Sequence, residues 1–173
     1  MTVSAETAAT TWCKICGLTR VQDALSAVAA GADGVGMIFY SGSPRHVSMS
    51  QASQISSAVK ETGKDCQRVG LFVNASVKEV ATVLETVELD LLQFHGDEAP
   101  DFCQQFGKPY MKVVKVRNSI NVADYAGAYA DAWALLLDTY HPIQAGGTGQ
   151  VFDWSLWPDT VASRLILAGG LTP

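Results

Sequence analysis

The feature that most constrains this chain is a rhythm: short aliphatic runs recur at intervals of about 20–30 residues, each followed by a longer stretch with helical spacing. Candidate strands fall at 12–16, 34–39, 68–73, 89–95, 110–116, 133–138 and 165–168. Between them lie amphipathic segments at 21–30, 50–60, 76–87, 97–106 and 121–130. The first places Val21, Ala24, Leu25 and Val28 on one face and stops at Gly31. Ser50 and Ser76 are placed as N-caps of the second and third. No hairpin signal interrupts the series, so the pattern is one of repeated βα units around a parallel sheet. Right-handed crossovers leave two architectures, a doubly wound sheet and a barrel. Cys16, Asn74, His95 and Asp138 stand at the ends of different strands. A barrel gathers such ends on one rim whereas an open sheet spreads them along a crevice, which favours the barrel.

The remaining bulk properties exclude more than they assign. With 173 residues and 48% hydrophobic content the chain builds one domain, 12–173, preceded by a small, polar arm at 1–11 expected to be flexible. A formal charge of −5 and the absence of a basic run argue against nucleic acid and against an anionic membrane surface. The arm lacks the basic start and apolar stretch of a secretory signal, and no run is long enough to span a membrane, so a cytoplasmic protein is expected. Cys13 and Cys16 form a CxxC, but residues three apart in a strand point to opposite faces. With no second Cys or His pair to complete a tetrahedral site, no metal is expected there.

Several positions invite a chemical reading beside a plain one. Cys16 shares a strand face with Lys14, whose ammonium would favour the reactive thiolate; otherwise it is a small buried hydrophobe. Asp138 closes the apolar run 133–137, as either a loop cap or a buried acid. Gln93 and His95 share a face near a strand end, which suits a binding surface or a satisfied structural histidine. Arg45, in Ser43-Pro44-Arg45, offers a fork for a carboxylate or phosphate, or is an ordinary loop arginine. Gly146, Gly147 and Gly149 follow the sixth strand and Gly169 and Gly170 the seventh, where backbone N–H groups can approach a phosphate, or where glycine makes a turn.

Taken in order, these segments closely resemble phosphoribosylanthranilate isomerase. The resemblance is carried by 14–20 (KICGLTR), 43–45 (SPR), 69–74 (VGLFVN), 92–98 (LQFHGDE), 136–138 (LLD), 146–149 (GGTG) with 152–154 (FDW), and 167–173 (LAGGLTP). It implies a (β/α)8 TIM barrel, here ending after the seventh strand. It also implies an aldose–ketose isomerase of tryptophan biosynthesis that converts N-(5-phosphoribosyl)anthranilate to 1-(2-carboxyphenylamino)-1-deoxyribulose 5-phosphate by an Amadori rearrangement. By the same resemblance Asp138 matches the general acid and Cys16 the general base. Arg45 matches the partner of the anthranilate carboxylate; Gly146, Gly147 and Gly149 match a site-closing loop, and Gly169 and Gly170 donors to the phosphate. The only partner implied is a small phosphosugar substrate, and no cofactor is implied, because the Schiff base uses the substrate's own nitrogen. The family pattern continues past Pro173 with a helix, an eighth strand and a closing helix. Without that C-terminal βα unit, the first and seventh strands would be unpaired edges, and a second reading is an inactive barrel acting as a binding or assembly module. Rival phosphosugar barrels, indole-glycerol-phosphate synthase and pentose-phosphate epimerase, would be expected to use Lys and Glu residues or a metal site, where this chain offers a Cys/Asp pair.

Overall fold

The computed structural model describes residues 11–116, 121–139, 157, 158 and 160–169. Its strands are β1 (Lys14–Cys16), β2 (Gly34–Ile38), β3 (Gln67–Phe72), β4 (Leu91–Phe94), β5 (Tyr110–Val116), β6 (Ala134–Thr139) and β7 (Leu165–Ala168). Helices α1 (Val21–Ala29), α2 (Met49–Glu61), α3 (Val77–Thr86), α4 (Pro100–Gln104) and α5 (Val122–Ala128) fill the crossovers from β1 to β6. The seven strands form one parallel sheet in simple sequential order, β1 to β7. A doubly wound sheet would reverse strand order partway, so this order decides for the barrel.

The strand register supplies the curl. Pairing runs from Ile38, the last residue of β2, through Leu71, Gln93 and Met111 to Ala134, the first residue of β6. Each neighbour is thus displaced along the sheet, the stagger that tilts strands in a barrel wall. Among the described residues β1 and β7 are the two edges of the sheet. Between them lies a cleft of about 690 Å³ lined by residues that include Lys14, Cys16, Leu136, Ala168 and Gly169.

Alternation along the strands divides the core in two. Inward, Val69, Leu91, Met111 and Ala134 form a small cluster capped by Trp12, Trp133 and Ile166. The two indoles meet edge to face at 5.1 Å. Outward, Val35, Met37, Phe72, Phe94, Leu135 and Leu137 bury against Ala24, Val28, Ile55, Val59 and Val80 of the helices. Local signals fix the helix starts. Ser76 caps α3 through a reciprocal box with Glu79, as its position in the sequence suggests. For α2 the cap is Ser48 and not Ser50, because Gln51 lies three residues after Ser48 and completes the box. The fourth helix is also shorter than expected. It begins at Pro100, a residue suited to the first helical turn, while residues 97–99 lie outside the helix, with Ala99 extended as its N-cap.

Candidate active site

The C-terminal ends of the strands hold most of the polar side chains the sequence singled out. Asp138 is the fifth of six residues in β6 and shares its inward face with Ala134, with only 7% of its surface exposed. His95 follows the last residue of β4, and its Nε2 lies 3.2 Å from Asp138 Oδ2. Behind it Gln93, 2% exposed, places Nε2 at 3.4 Å from His95 Nδ1. Gln93 Oε1 is buried and meets no hydrogen-bond donor among the described residues. An orphaned acceptor on the inner wall is the kind of group a bound ligand satisfies.

On the opposite side Cys16 ends β1 as a half-buried free thiol. A Cβ on Gly36 would sit 2.8 Å from Cys16 Sγ and 3.2 Å from Lys14 Nζ, so thiol and ammonium share the space that this glycine leaves open. Cys13, by contrast, is an exposed free thiol one alternation out of phase, so the CxxC sulfurs point to different faces. Arg45 crosses from the loop after β2 and donates from Nη1 to the Cys16 carbonyl oxygen at 2.9 Å. Gly17, at φ 81, leaves the room: a Cβ there would meet the Arg45 Nη1 at 2.5 Å. Gly169, just past β7, adopts φ 83 and lines the cleft beside Cys16. Gly146, Gly147, Gly149 and Gly170 lie outside the described residues, as does 152–154.

The structure adds a group that the sequence reading missed. Lys112 of β5 faces outward and is buried, with its Nζ 2.7 Å from both Glu98 Oε2 and the Gly96 carbonyl oxygen. Both side chains of this ion pair are 2% exposed. Glu98 Oε1 accepts from the Asn74 and Gly96 N–H groups at 2.7 and 3.1 Å. Asn74, at φ 49, in turn accepts the Asp97 N–H on Oδ1 at 2.7 Å. Tyr129 donates its hydroxyl to the Glu98 carbonyl at 2.8 Å, and the buried Cys103 thiol lies beside that carbonyl. Burial pushes the Cys103 thiol up to about 12, which keeps it protonated and inert at neutral pH. A lysine inside the apolar run 110–116 was the available signal, but its partner is fixed only by the fold.

Among the described residues, no group of three or more His, Cys, Asp or Glu side chains is arranged to hold a metal. What the rim offers instead is a buried carboxyl beside an imidazole, a thiol beside an ammonium, and a guanidinium. Those are the parts of proton transfer and anion binding.

Comparison with known proteins follows the same line. A family model described as N-(5'-phosphoribosyl)anthranilate (PRA) isomerase matches residues 13–173. The N-(5'-phosphoribosyl)anthranilate isomerase of Pseudomonas fluorescens strain SBW25 is 50% identical over 160 residues, covering 92% of this chain and 75% of the relative. The crystal structure of phosphoribosyl anthranilate isomerase from Thermotoga maritima superposes with a TM-score of 0.80 at 36% identity, over 94% of this chain and 78% of that one. Another structure of the isomerase, in complex with reduced 1-(o-carboxyphenylamino)-1-deoxyribulose 5-phosphate, gives a TM-score of 0.67 at 35% identity, over 76% of this chain and 66% of that one.

Proposed function

Since the chain belongs to the N-(5'-phosphoribosyl)anthranilate isomerase family, enzymes of tryptophan biosynthesis, we propose how its own residues carry the isomerisation. The Asp138 carboxyl gives its proton to the furanose ring oxygen. The C1′–O bond breaks as the lone pair of the substrate nitrogen forms a C1′=N bond, which opens the ring without any protein amine. The Cys16 thiolate then takes the proton from C2′. The freed electron pair becomes the C1′=C2′ bond, and the iminium electrons return to nitrogen. The resulting enolamine gains a proton at C1′ and loses one from the C2′ hydroxyl, giving the ketone. One proton given and one taken leave substrate and product as isomers.

The observation that carries this reading is that Cys16 and Asp138 both stand at strand C-terminal ends and both alternate onto the inner face. His95 at 3.2 Å would orient the Asp138 carboxyl, and Lys14 Nζ shares with the Cys16 thiol the space beside Gly36. Arg45 already hydrogen-bonds the Cys16 carbonyl, so a carboxylate on its fork would be held next to the base. We assign Gln93 and His95 to substrate binding and Gly169 to the phosphate. By the family resemblance, Gly146, Gly147, Gly149 and Gly170 join them. The reaction is assigned to the cytoplasm; among the described residues no helix is long and apolar enough to cross a membrane.

The test follows the anthranilate fluorescence of the ribotide during turnover, with borohydride added midway. Turnover with an unmodified protein mass is expected, because the Schiff base forms within the substrate. A protein–sugar adduct would contradict the ring-opening step, and a folded chain without turnover would favour the binding-module reading.

A further inference from the structure

The buried Glu98–Lys112 pair lies behind the rim, on the helix side of the sheet, and touches none of the groups given a chemical role above. We propose that it is a positioning device for the acid: Glu98 and Lys112 together hold Gly96, the residue after His95, and so fix the imidazole against Asp138. This rests on the assignment of Asp138 as the acid.

Gly96 is gripped at both ends. Its N–H goes to Glu98 Oε1 at 3.1 Å, and its carbonyl takes the Lys112 ammonium at 2.7 Å. One residue earlier, the His95 N–H is held by the Phe72 carbonyl at 2.9 Å. The same Glu98 oxygen accepts the Asn74 N–H, and Asn74 Oδ1 accepts the Asp97 N–H, so the turns after β3 and β4 are stitched together around one carboxylate. Gly96 cannot be replaced without disturbing this, since a Cβ there would lie 2.6 Å from Asn74 Cγ and 2.7 Å from Asn74 N. The His95 backbone therefore has little freedom, and its ring meets Asp138 at 3.2 Å by construction. A buried pair with every oxygen engaged is stiff, because moving either charge leaves the other without compensation.

A purely structural pair and a positioning pair make different predictions. Glu98→Gln alone leaves Lys112 uncompensated and can unfold the chain, so the decisive variant is Glu98→Gln/Lys112→Met, which removes both charges. This double variant is expected to stay folded and to lose about 10- to 100-fold in kcat, with a smaller change in KM from the displaced His95, because misplacement by a fraction of an ångström costs rate more than binding. In a His95→Ala background the same double change is expected to lower kcat little further. Wild-type kcat in the folded double variant would overturn the proposal. So would an equal loss with and without His95, since the pair would then act by some other route. A wild-type chain with no turnover would refute the assigned activity instead. In that event the His95 ring resonances read the device directly, with His95→Ala identifying them among the three histidines. Displacement of those signals by the double change supports the grip, and unchanged signals overturn it.

Discussion

At the N-terminal ends of β3 and β4, Arg68 reaches Asp90 at 2.7 Å and Glu88 at 2.9 Å, with Lys60 joining Glu88 at 2.8 Å. At the C-terminal ends of β4 and β5, Glu98 and Lys112 pair at 2.7 Å. The lower cluster is open, with Glu88 61% exposed; the upper one is sealed at 2%. The difference separates two tasks of a barrel. Charges at the strand starts tie neighbouring elements together and can rearrange in solvent, whereas those at the strand ends are sealed behind the rim and cannot. Stability and catalysis should therefore respond differently to changes at the two ends.

The largest effect on stability is expected at the sealed end. Lys112→Met leaves the Glu98 carboxylate buried and unpaired, which should cost about 3–5 kcal/mol in chemical denaturation. A loss comparable to a surface substitution would show that water reaches this pair. At the open end Arg68→Met should cost less, about 1–3 kcal/mol, because solvent can reach Glu88 and part of Asp90. It should leave turnover near the wild-type level, and a large loss of kcat would erase the proposed separation.

The open cluster should also set the acid response. Burial pushes the Asp90 carboxyl up, but hydrogen bonds and charge from Arg68 outweigh it and hold the carboxyl below its ordinary range. Hydrogen bonds from Lys60 and Arg68 lower Glu88 likewise. Groups depressed in the folded state stabilise it above their unfolded values, near about pH 4, and that contribution disappears as pH falls through the folded values. Unfolding free energy should thus fall between about pH 5 and pH 2, and Asp90→Asn should flatten the slope. An unchanged slope would place the acid sensitivity elsewhere. Smallest of all, Ser48→Ala should cost about 1 kcal/mol with no kinetic effect, since it removes only the α2 cap.

The two ends were also unequally legible in the sequence. The apolar runs located the seven described strands, because a strand that lines a core has little choice of composition on the faces it buries. Cys16 and Asp138 could be placed at strand ends for the same reason. The pairing of His95 with Asp138 could not be read, since it depends on register between elements far apart in sequence. Nor could the partner of Lys112: helical spacing suggested a helix over 97–106, but Glu98 precedes the helix and packs on the helix side of the sheet against a charge that only the folded sheet presents. Closed or open, the sheet's architecture was decided by strand order, which the βα rhythm leaves undetermined.

The central claim is that the rim, and within it Cys16 and Asp138, performs the proton transfers while the rest of the barrel only holds it. The most direct test is kcat together with Tm for Cys16→Ala and Asp138→Asn. The account predicts a wild-type Tm within a few degrees and a loss of about 10²- to 10⁴-fold or more in turnover for each variant. Near-wild-type turnover in either variant would contradict it.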